Sequence, residues 1–527
     1  MFETGIRQAR LGLAMVRGRR IDPRNVERLI GDALATLAAF GAPGDDVDQL
    51  LDGPFADAEA RRHFQDRALR RTARRLAARS PYYRSLFSEH GIDAGRLDVD
   101  TMAAVPTTVK ADLVGRRADF VVEGAKPFLA TRTTGTTGRP AEVWLSRYEA
   151  ELWPALGALS GLLRGEIGPD DCMQINISSR ATAAVHQNVA VCRLVGARSR
   201  VLGVVPTGES LDSLLDRGPS LLTTYPSYLA QLVAAARRRG VGPADVRLRR
   251  IDCGGEVLSA ALAAAAAEVF GARVNDTFGM TEVLPVSGRS CSHRHLHHDL
   301  NMGFVEVVDL ETGGPAAPGR LGTVVVTPYY PYRECMPVFR YDTRDVVRKL
   351  ADEDLVCELR GVPATSLVLG KADHLVGGLT LRDLVEAIES LPSQPWPARF
   401  AAVPEGGRLA VALAGAATGD LAELERRLAA HGVRARVSAA APSVAPAALR
   451  PLRADLVETT FTAGSLPHAW RPVDELRRRP PVPPEAATPA LGREEQGGGR
   501  PARPAGRSTA SSARNLRFRA DRREDVT

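Results

Sequence analysis

One pattern between residues 172 and 282 leaves few folds open: a short apolar strand, a turn, then a helix, several times over. Cys172 to Ile177 reads as a strand. Leu221 to Tyr225 is another, entering Pro226 and Ser227, which open a helix to Arg237. Leu248 to Cys253 ends in Gly254-Gly255-Glu256, and Val274 to Phe278 ends in Gly279-Met280-Thr281-Glu282. Strands joined through helices pair in parallel, and a parallel sheet gathers its functional groups at the strand C-termini. On the N-terminal side, residues 1–80 carry apolar positions at helical spacing, most clearly from Asp57 to Ser80. From Gly303 to about Leu355, short apolar runs alternate with turn signals such as Gly313-Gly314-Pro315, which predicts antiparallel β structure. Gly370 starts a smaller module, with helices expected over 379–391 and 420–431 and strands over 398–403 and 409–414. The expected class is α/β: a large N-terminal domain of mainly parallel sheets plus an antiparallel β subdomain (1–372), then a small α+β C-terminal domain (373–465). A Pro-, Gly- and Arg-rich tail (466–527) follows and is expected to stay disordered.

Ahead of the repeating pattern stands Thr131-Arg132-Thr133-Thr134-Gly135-Thr136-Thr137-Gly138-Arg139-Pro140, with five hydroxyls, two glycines and two arginines. Glycines let backbone N–H groups approach an anion, and threonine hydroxyls add donors. Such a loop suits the β- and γ-phosphates of a nucleotide. It is not a Walker loop, because no Lys-Ser/Thr pair opens a helix after it. A polar hairpin with two turn glycines accounts for the same composition.

Charge and cysteine usage exclude other classes. The net charge is +7, but Arg477 to Thr527 holds twelve arginines against six carboxylates, so the body is near neutral and a nucleic-acid role is not expected. No apolar run is long enough to span a bilayer, and the N-terminus lacks the apolar core of a secretion signal. Six cysteines spread over 527 residues suit a reducing, cytoplasmic setting rather than a disulfide framework.

Further stretches line up with the Thr/Gly loop: Cys253-Gly-Gly-Glu256; Asp276-Thr-Phe-Gly-Met-Thr-Glu282; Met336-Pro-Val-Phe-Arg-Tyr-Asp-Thr-Arg-Asp345; and Gly370-Lys371-Ala372-Asp373. In this order they resemble the adenylate-forming superfamily, nearest its phenylacetate–CoA ligase branch. Ser80-Pro-Tyr-Tyr-Arg84 and Pro106-Thr-Thr-Val-Lys110 are similar to that branch's N-terminal signatures. The resemblance spans roughly residues 60 to 390 and implies an adenylate-forming, AMP-binding large domain. It implies that Thr133, Thr134, Gly135, Thr136, Thr137 and Gly138 hold the ATP phosphates, and that Gly255 and Glu256 line the adenine side. Phe278 would stack on adenine and Asp276 accept from its amine. Thr281 would touch the α-phosphate, Glu282 would bind Mg²⁺, and Asp345 would accept the ribose hydroxyls. Lys371 stands where the branch usually has arginine, keeping the charge without the fork. Taken singly, Glu282 could instead favour a helix N-terminus, Asp345 could pair with Arg344 or Arg348, and Phe278 could be core.

The implied activity is ATP-dependent conversion of a carboxylic acid, aryl or arylacetic, to its acyl-adenylate, with coenzyme A as acceptor. The implied partners are small molecules, the acid and ATP, and neither nucleic acid nor membrane; a homodimer is left open. Two departures bear on the chemistry. No lysine follows Lys371, whereas the superfamily places one near the end of the C-terminal module; Arg450, Pro451, Leu452 and Arg453 stand there. Either Arg453 or, from the large domain, Lys110 or Arg139 is then expected to carry that charge. Gly377-Gly378 also replaces the Arg-Gly usual after the hinge. These changes keep open another acceptor (an amine, a carrier-protein thiol or nitrite) and a non-catalytic nucleotide-binding homologue.

Cys291-Ser-His293-Arg-His295-Leu-His297-His298 concentrates four of the ten histidines. A structural zinc held by Cys253, Cys291, Cys335 and one of His295 or His297 is chemically sensible. A solvated polar loop is the alternative.

Overall fold

A computed structural model describes residues 2–41, 58–133, 140–178, 181–216, 218–359, 361–375, 378–405 and 408–440. Thr134 to Arg139, Gly377, Arg453 and the tail lie outside the described residues, and so do the expectations attached to them.

The helical N-terminus forms as Phe2–Arg17, Pro23–Phe40 and Ala58–Arg79. Asp22 caps the second helix by accepting from Arg24 N, and proline at the first helical position gives up an N–H that had no partner anyway. A hairpin follows: β1 (Pro127–Arg132) pairs antiparallel with β2 (Glu142–Ser146), with Arg132 opposite Glu142.

The strand–turn–helix pattern builds one eight-stranded sheet. Its strands are β3 (Cys172–Asn176), β4 (Arg198–Val201), β5 (Leu221–Thr224), β6 (Arg250–Gly254), β7 (Arg273–Gly279), β8 (Ser287–Ser290), β9 (His295–His298) and, from later in the chain, β13 (Ala364–Ser366). The order is β13-β9-β8-β7-β6-β5-β3-β4. The β4-to-β7 half is parallel, as expected from its helical connections. From β7 outward the pairing turns antiparallel: short connections lead from β7 to β8 and β9, and β13 returns to the edge after the second sheet.

The antiparallel region forms a second sheet of β10 (Gly303–Asp309), β11 (Leu321–Pro328), β12 (Tyr341–Arg348) and β14 (Gly370–Lys371). Here Gly370, at φ +134°, lets the chain pass close to the next helix: an added Cβ would lie 2.8 Å from Leu381 Cβ.

In the smaller module the helix is Leu381–Glu389, and β15 (Phe400–Glu405) pairs antiparallel with β16 (Arg408–Ala414). After the helix Thr418–Ala430, β17 (Ala435–Ala440) adds in parallel, a strand beyond those expected from the sequence. Leu384, Ile388, Phe400, Leu409, Leu413 and Leu424 fill this module's own core. Among the described residues, no helix is long and apolar enough to cross a membrane.

Candidate active site

Two sequence signatures meet at the start of β12. Thr108 bridges to Tyr341: its N–H donates to Arg340 O at 2.9 Å, and its carbonyl accepts from Asp342 N at 2.9 Å. Tyr83, fully buried, lies 3.1 Å from Thr108 Oγ1 through its hydroxyl and accepts from Phe339 N at 2.7 Å. Arg340 takes a left-handed backbone at φ +47°, unusual for a side chain of its size. Its guanidinium grips Glu306 on β10 and the carbonyls of Ala103 and Val105. Lys110, two residues beyond Thr108, is thereby fixed at the first turn of the helix Lys110–Gly115.

The opposite wall is braced by Glu149, which has no exposed surface. Its carboxylate accepts from Ser146 N at 2.6 Å, capping the helix Arg147–Leu163, and from the N–H groups of Glu334 at 2.8 Å and Cys335 at 3.3 Å. Trp153 Nε1 donates to Tyr332 O at 2.7 Å alongside.

Glu282 sits in the turn after β7, only 3% exposed. Burial pushes its carboxyl above the ordinary range, while the ammonium groups of Lys110 and then Lys371 pull it back. Lys110 is the mirror case: burial lowers it, and Glu282 restores part of the loss. Tyr341 lies near Glu282, and burial, followed by the nearby Glu282 and Asp345 charges, holds its hydroxyl protonated. β12 faces β14 with Asp345 opposite Lys371, so Lys371 Nζ reaches Asp345 Oδ1 at 2.9 Å and Thr343 O at 2.9 Å. Arg344, at φ +60°, turns outward to Asp373 at 2.6 Å.

The remaining candidates are arranged around this cluster. Thr133 is buried and closes the mouth of the hairpin, its hydroxyl accepting from Ala141 N at 2.9 Å. Gly255 follows β6 in the left-handed region at φ +79°. Glu256 accepts from Ser227 N at 3.0 Å, at the start of the helix Pro226–Arg238. Asp276 is half-buried and paired with Arg382 at 2.9 Å, a partner that the sequence did not suggest. Phe278 lies in the core, edge-on to His298 with ring centroids 5.7 Å apart. Thr281 stands half-buried in the same turn as Glu282.

The metal candidates need a correction. Cys291, His295 and His297 do meet, but the residue that joins them is Cys357. Cys253 is fully buried inside β6, where burial raises its thiol well above the usual range. Cys335 is held behind Glu149 in the main core, its thiol pushed up to about 12 by burial. Neither belongs to the cluster. No local spacing marks Cys357; only the pairing of β13 with β9 brings it there, with Ala364 opposite His297 and Ser366 opposite His295.

Comparison with known proteins agrees with this arrangement. Residues 92–330 match the AMP-binding enzyme family. The phenylacetate-coenzyme A ligase of Thermus thermophilus is 25% identical over 365 residues, covering 66% of this chain and 76% of that one. Its namesake from Aromatoleum evansii is 24% identical over 351 residues, covering 63% and 74%. A crystal structure of 2-hydroxyisobutyryl-CoA ligase in the postadenylation state superposes with a TM-score of 0.65 at 20% identity, over 74% of this chain and 88% of that one. At that identity the likeness speaks for the α/β fold alone. Residues 92–330 thus carry an AMP-binding enzyme domain, and the chain, similar in sequence to phenylacetate–CoA ligases, is an adenylate-forming acid ligase.

Proposed function

We propose that the protein converts an aryl or arylacetic acid to its acyl-adenylate and passes the acyl group to the thiol of coenzyme A. The observation that carries this reading is the convergence of separate sequence motifs on one buried carboxylate. Glu282 feels the charges of Lys110, Lys371 and Asp345, Lys371 and Asp345 being paired with each other, and it lies near Tyr341. The choice of acid is supported by the two relatives called phenylacetate-coenzyme A ligase.

In the first half-reaction an acid oxygen bonds to the α-phosphorus of ATP, the bond to the bridging oxygen breaks, and pyrophosphate leaves with the electron pair. Negative charge grows on the phosphate oxygens, and fixed cations aimed there lower the barrier. Lys110 is proposed for that role, held in place by Thr108 and Arg340. Thr281 and the Thr133–Gly138 segment would donate to phosphate, and Asp345 would accept from the ribose. Glu282 fits Mg²⁺ as a single buried carboxylate, since Mg²⁺ in nucleotide sites is held by one or two carboxylates together with phosphates. When bound, the ion would neutralise charge on those phosphates. In the second half-reaction the thiolate attacks the acyl carbon and AMP leaves. For this, residues 373–465 are proposed to turn about Asp373, breaking its pair with Arg344.

The test is ATP–pyrophosphate exchange over a panel of acids, followed by thioester detection with coenzyme A. Acid-dependent exchange with thioester formation is expected. Exchange without thioester would replace coenzyme A by another acceptor. ATP binding without exchange for any acid would make the protein a non-catalytic nucleotide binder.

A further inference from the structure

We propose that Cys291, His295, His297 and Cys357 form a zinc site that clamps the loop between β12 and β13 onto the edge of the large sheet. The proposal is independent of the substrate reading, because none of the four touches the Glu282 cluster.

One ligand atom from each residue lies within 4.8 Å of the other three. Tetrahedral zinc with two sulfurs and two nitrogens needs ligand atoms roughly 3.3–3.8 Å apart, so a contraction of about 1.5 Å or less completes the shell. Cys357 Sγ is already 3.3 Å from His297 Nε2. The orientation of His297 is fixed from behind: Nδ1 donates to Val362 O at 2.9 Å, which leaves the Nε2 lone pair facing the sulfur. His295 Nδ1 is buried and has no hydrogen-bond partner, a cost that ligation would remove.

The backbone is shaped for the same purpose. Arg294, at φ +60°, closes a tight turn in which Arg294 N donates to Cys291 O and Cys291 N to His295 O. His295 N also points at Cys291 Sγ at 3.3 Å, a contact that favours a thiolate. The loop bearing Cys357 is tied to the same turn, since Glu358 accepts from Ser292 N at 2.8 Å and Ser292 Oγ at 2.5 Å. Two thiolates and two imidazoles are a donor set for zinc and a poor one for Mg²⁺ or Ca²⁺. The site sits at the edge of the large sheet, where a strand as short as β13 has little pairing of its own to hold it. A metal clamp there orders the segment leading to Gly370 and Lys371.

The experiment is elemental analysis of the full-length protein purified under reducing conditions without chelator, together with thiol titration. About one zinc per chain is expected, with Cys291 and Cys357 unreactive until the metal is stripped. Cys357→Ala and His297→Ala should lose it, whereas Cys335→Ala should retain it. Exchange of the wild-type site for Co²⁺ should give thiolate-to-metal charge-transfer absorption, a readout independent of whether any variant folds. Stripping the metal should speed proteolytic cleavage in residues 351–363. Zinc-free protein that does not take up added Zn²⁺ overturns the proposal. So does full zinc content in Cys357→Ala. Two thiols missing before reduction, with no metal, would make the pair a disulfide instead.

Discussion

Asp345 offers the cleanest separation of a binding role from a structural one. Its residue exposure is 8%, and its Oδ1 takes the Lys371 ammonium at 2.9 Å, while Thr343 O takes the same ammonium at 2.9 Å. If Asp345 accepts the ribose hydroxyls, Asp345→Ala removes hydrogen bonds to a charged acceptor, a loss of about 1.5–3 kcal/mol. That corresponds to a rise of roughly ten- to hundredfold in the KM for ATP. The structural cost is smaller. Lys371 keeps its bond to Thr343 and has 22% of its side chain exposed, so water can replace the lost carboxylate. A penalty of about 1–2 kcal/mol is expected, a fall in Tm of a few degrees. The assay is pyrophosphate exchange at varied ATP, with Tm read by circular dichroism on the same samples. Asp345→Asn, which keeps an acceptor without the charge, should fall between the wild type and Asp345→Ala. A large drop in Tm with an unchanged KM refutes the ribose assignment and leaves Asp345 as the anchor of Lys371 alone.

Glu282→Gln removes one charge and little volume, so Mg²⁺-dependent exchange should vanish while Tm holds; wild-type exchange would end the metal assignment. Lys110→Arg should lose adenylation despite conserved charge, because a planar guanidinium needs different room from an ammonium; full activity would show that only net charge matters there. Glu149→Ala strips a buried carboxylate from its N–H donors and from Arg333 at 3.8 Å, and should cost about 3–5 kcal/mol in urea unfolding; a loss below about 1 kcal/mol would mean that the wall stands without it. Glu389, buried against Ser259, is pushed up to about 8 by burial and binds a proton in the folded state that the unfolded chain releases near 4.5. Its contribution to stability is therefore fully present below about pH 4.5 and drains away as pH rises towards 8. Glu389→Gln should flatten that slope and raise Tm at pH 8 relative to the wild type; an unchanged slope would show that the carboxyl is ionised in the native protein.

Most of the fold could be read from the chain because its elements announce themselves locally. The helix Pro226–Arg238 and the strand Cys172–Asn176 fall where the sequence pattern puts them, since burial leaves a repeating apolar mark. β4, with the sequence Arg-Ser-Arg-Val, does not, because it is a sheet edge with little to bury. Motifs disclosed which residues gather near Glu282 but not their partners. Asp276 with Arg382 and Asp345 with Lys371 are pairs set by how the helix Leu381–Glu389 and β14 dock, and docking leaves no trace in residue spacing. Cys357 illustrates the same limit more sharply. It lies sixty positions from His297 in sequence and 3.3 Å from it in space, a relation that exists only through the register of β13 on β9.

The lysine economy of the chain adds weight to the charge arrangement around Glu282. Only four of the sixty-nine basic residues are lysines: Lys110, Lys126, Lys349 and Lys371. A chain with so strong a preference for arginine retains lysine where arginine would not serve, if the position matters at all. Two of the four flank Glu282, one from the helix after Thr108 and one from β14. Both are partly buried, where a compact ammonium with a tunable pKa fits and a broad guanidinium does not. Lys371 is already committed to Asp345 and Thr343. Lys110 has Glu282 as its main compensating charge. Once Glu282 is engaged by a metal, that compensation weakens, and the ammonium becomes the buried cation best placed to meet new negative charge. A large domain so equipped can supply from its own framework the cation that this chain, having no lysine after Lys371, does not bring in from its C-terminal module as a lysine.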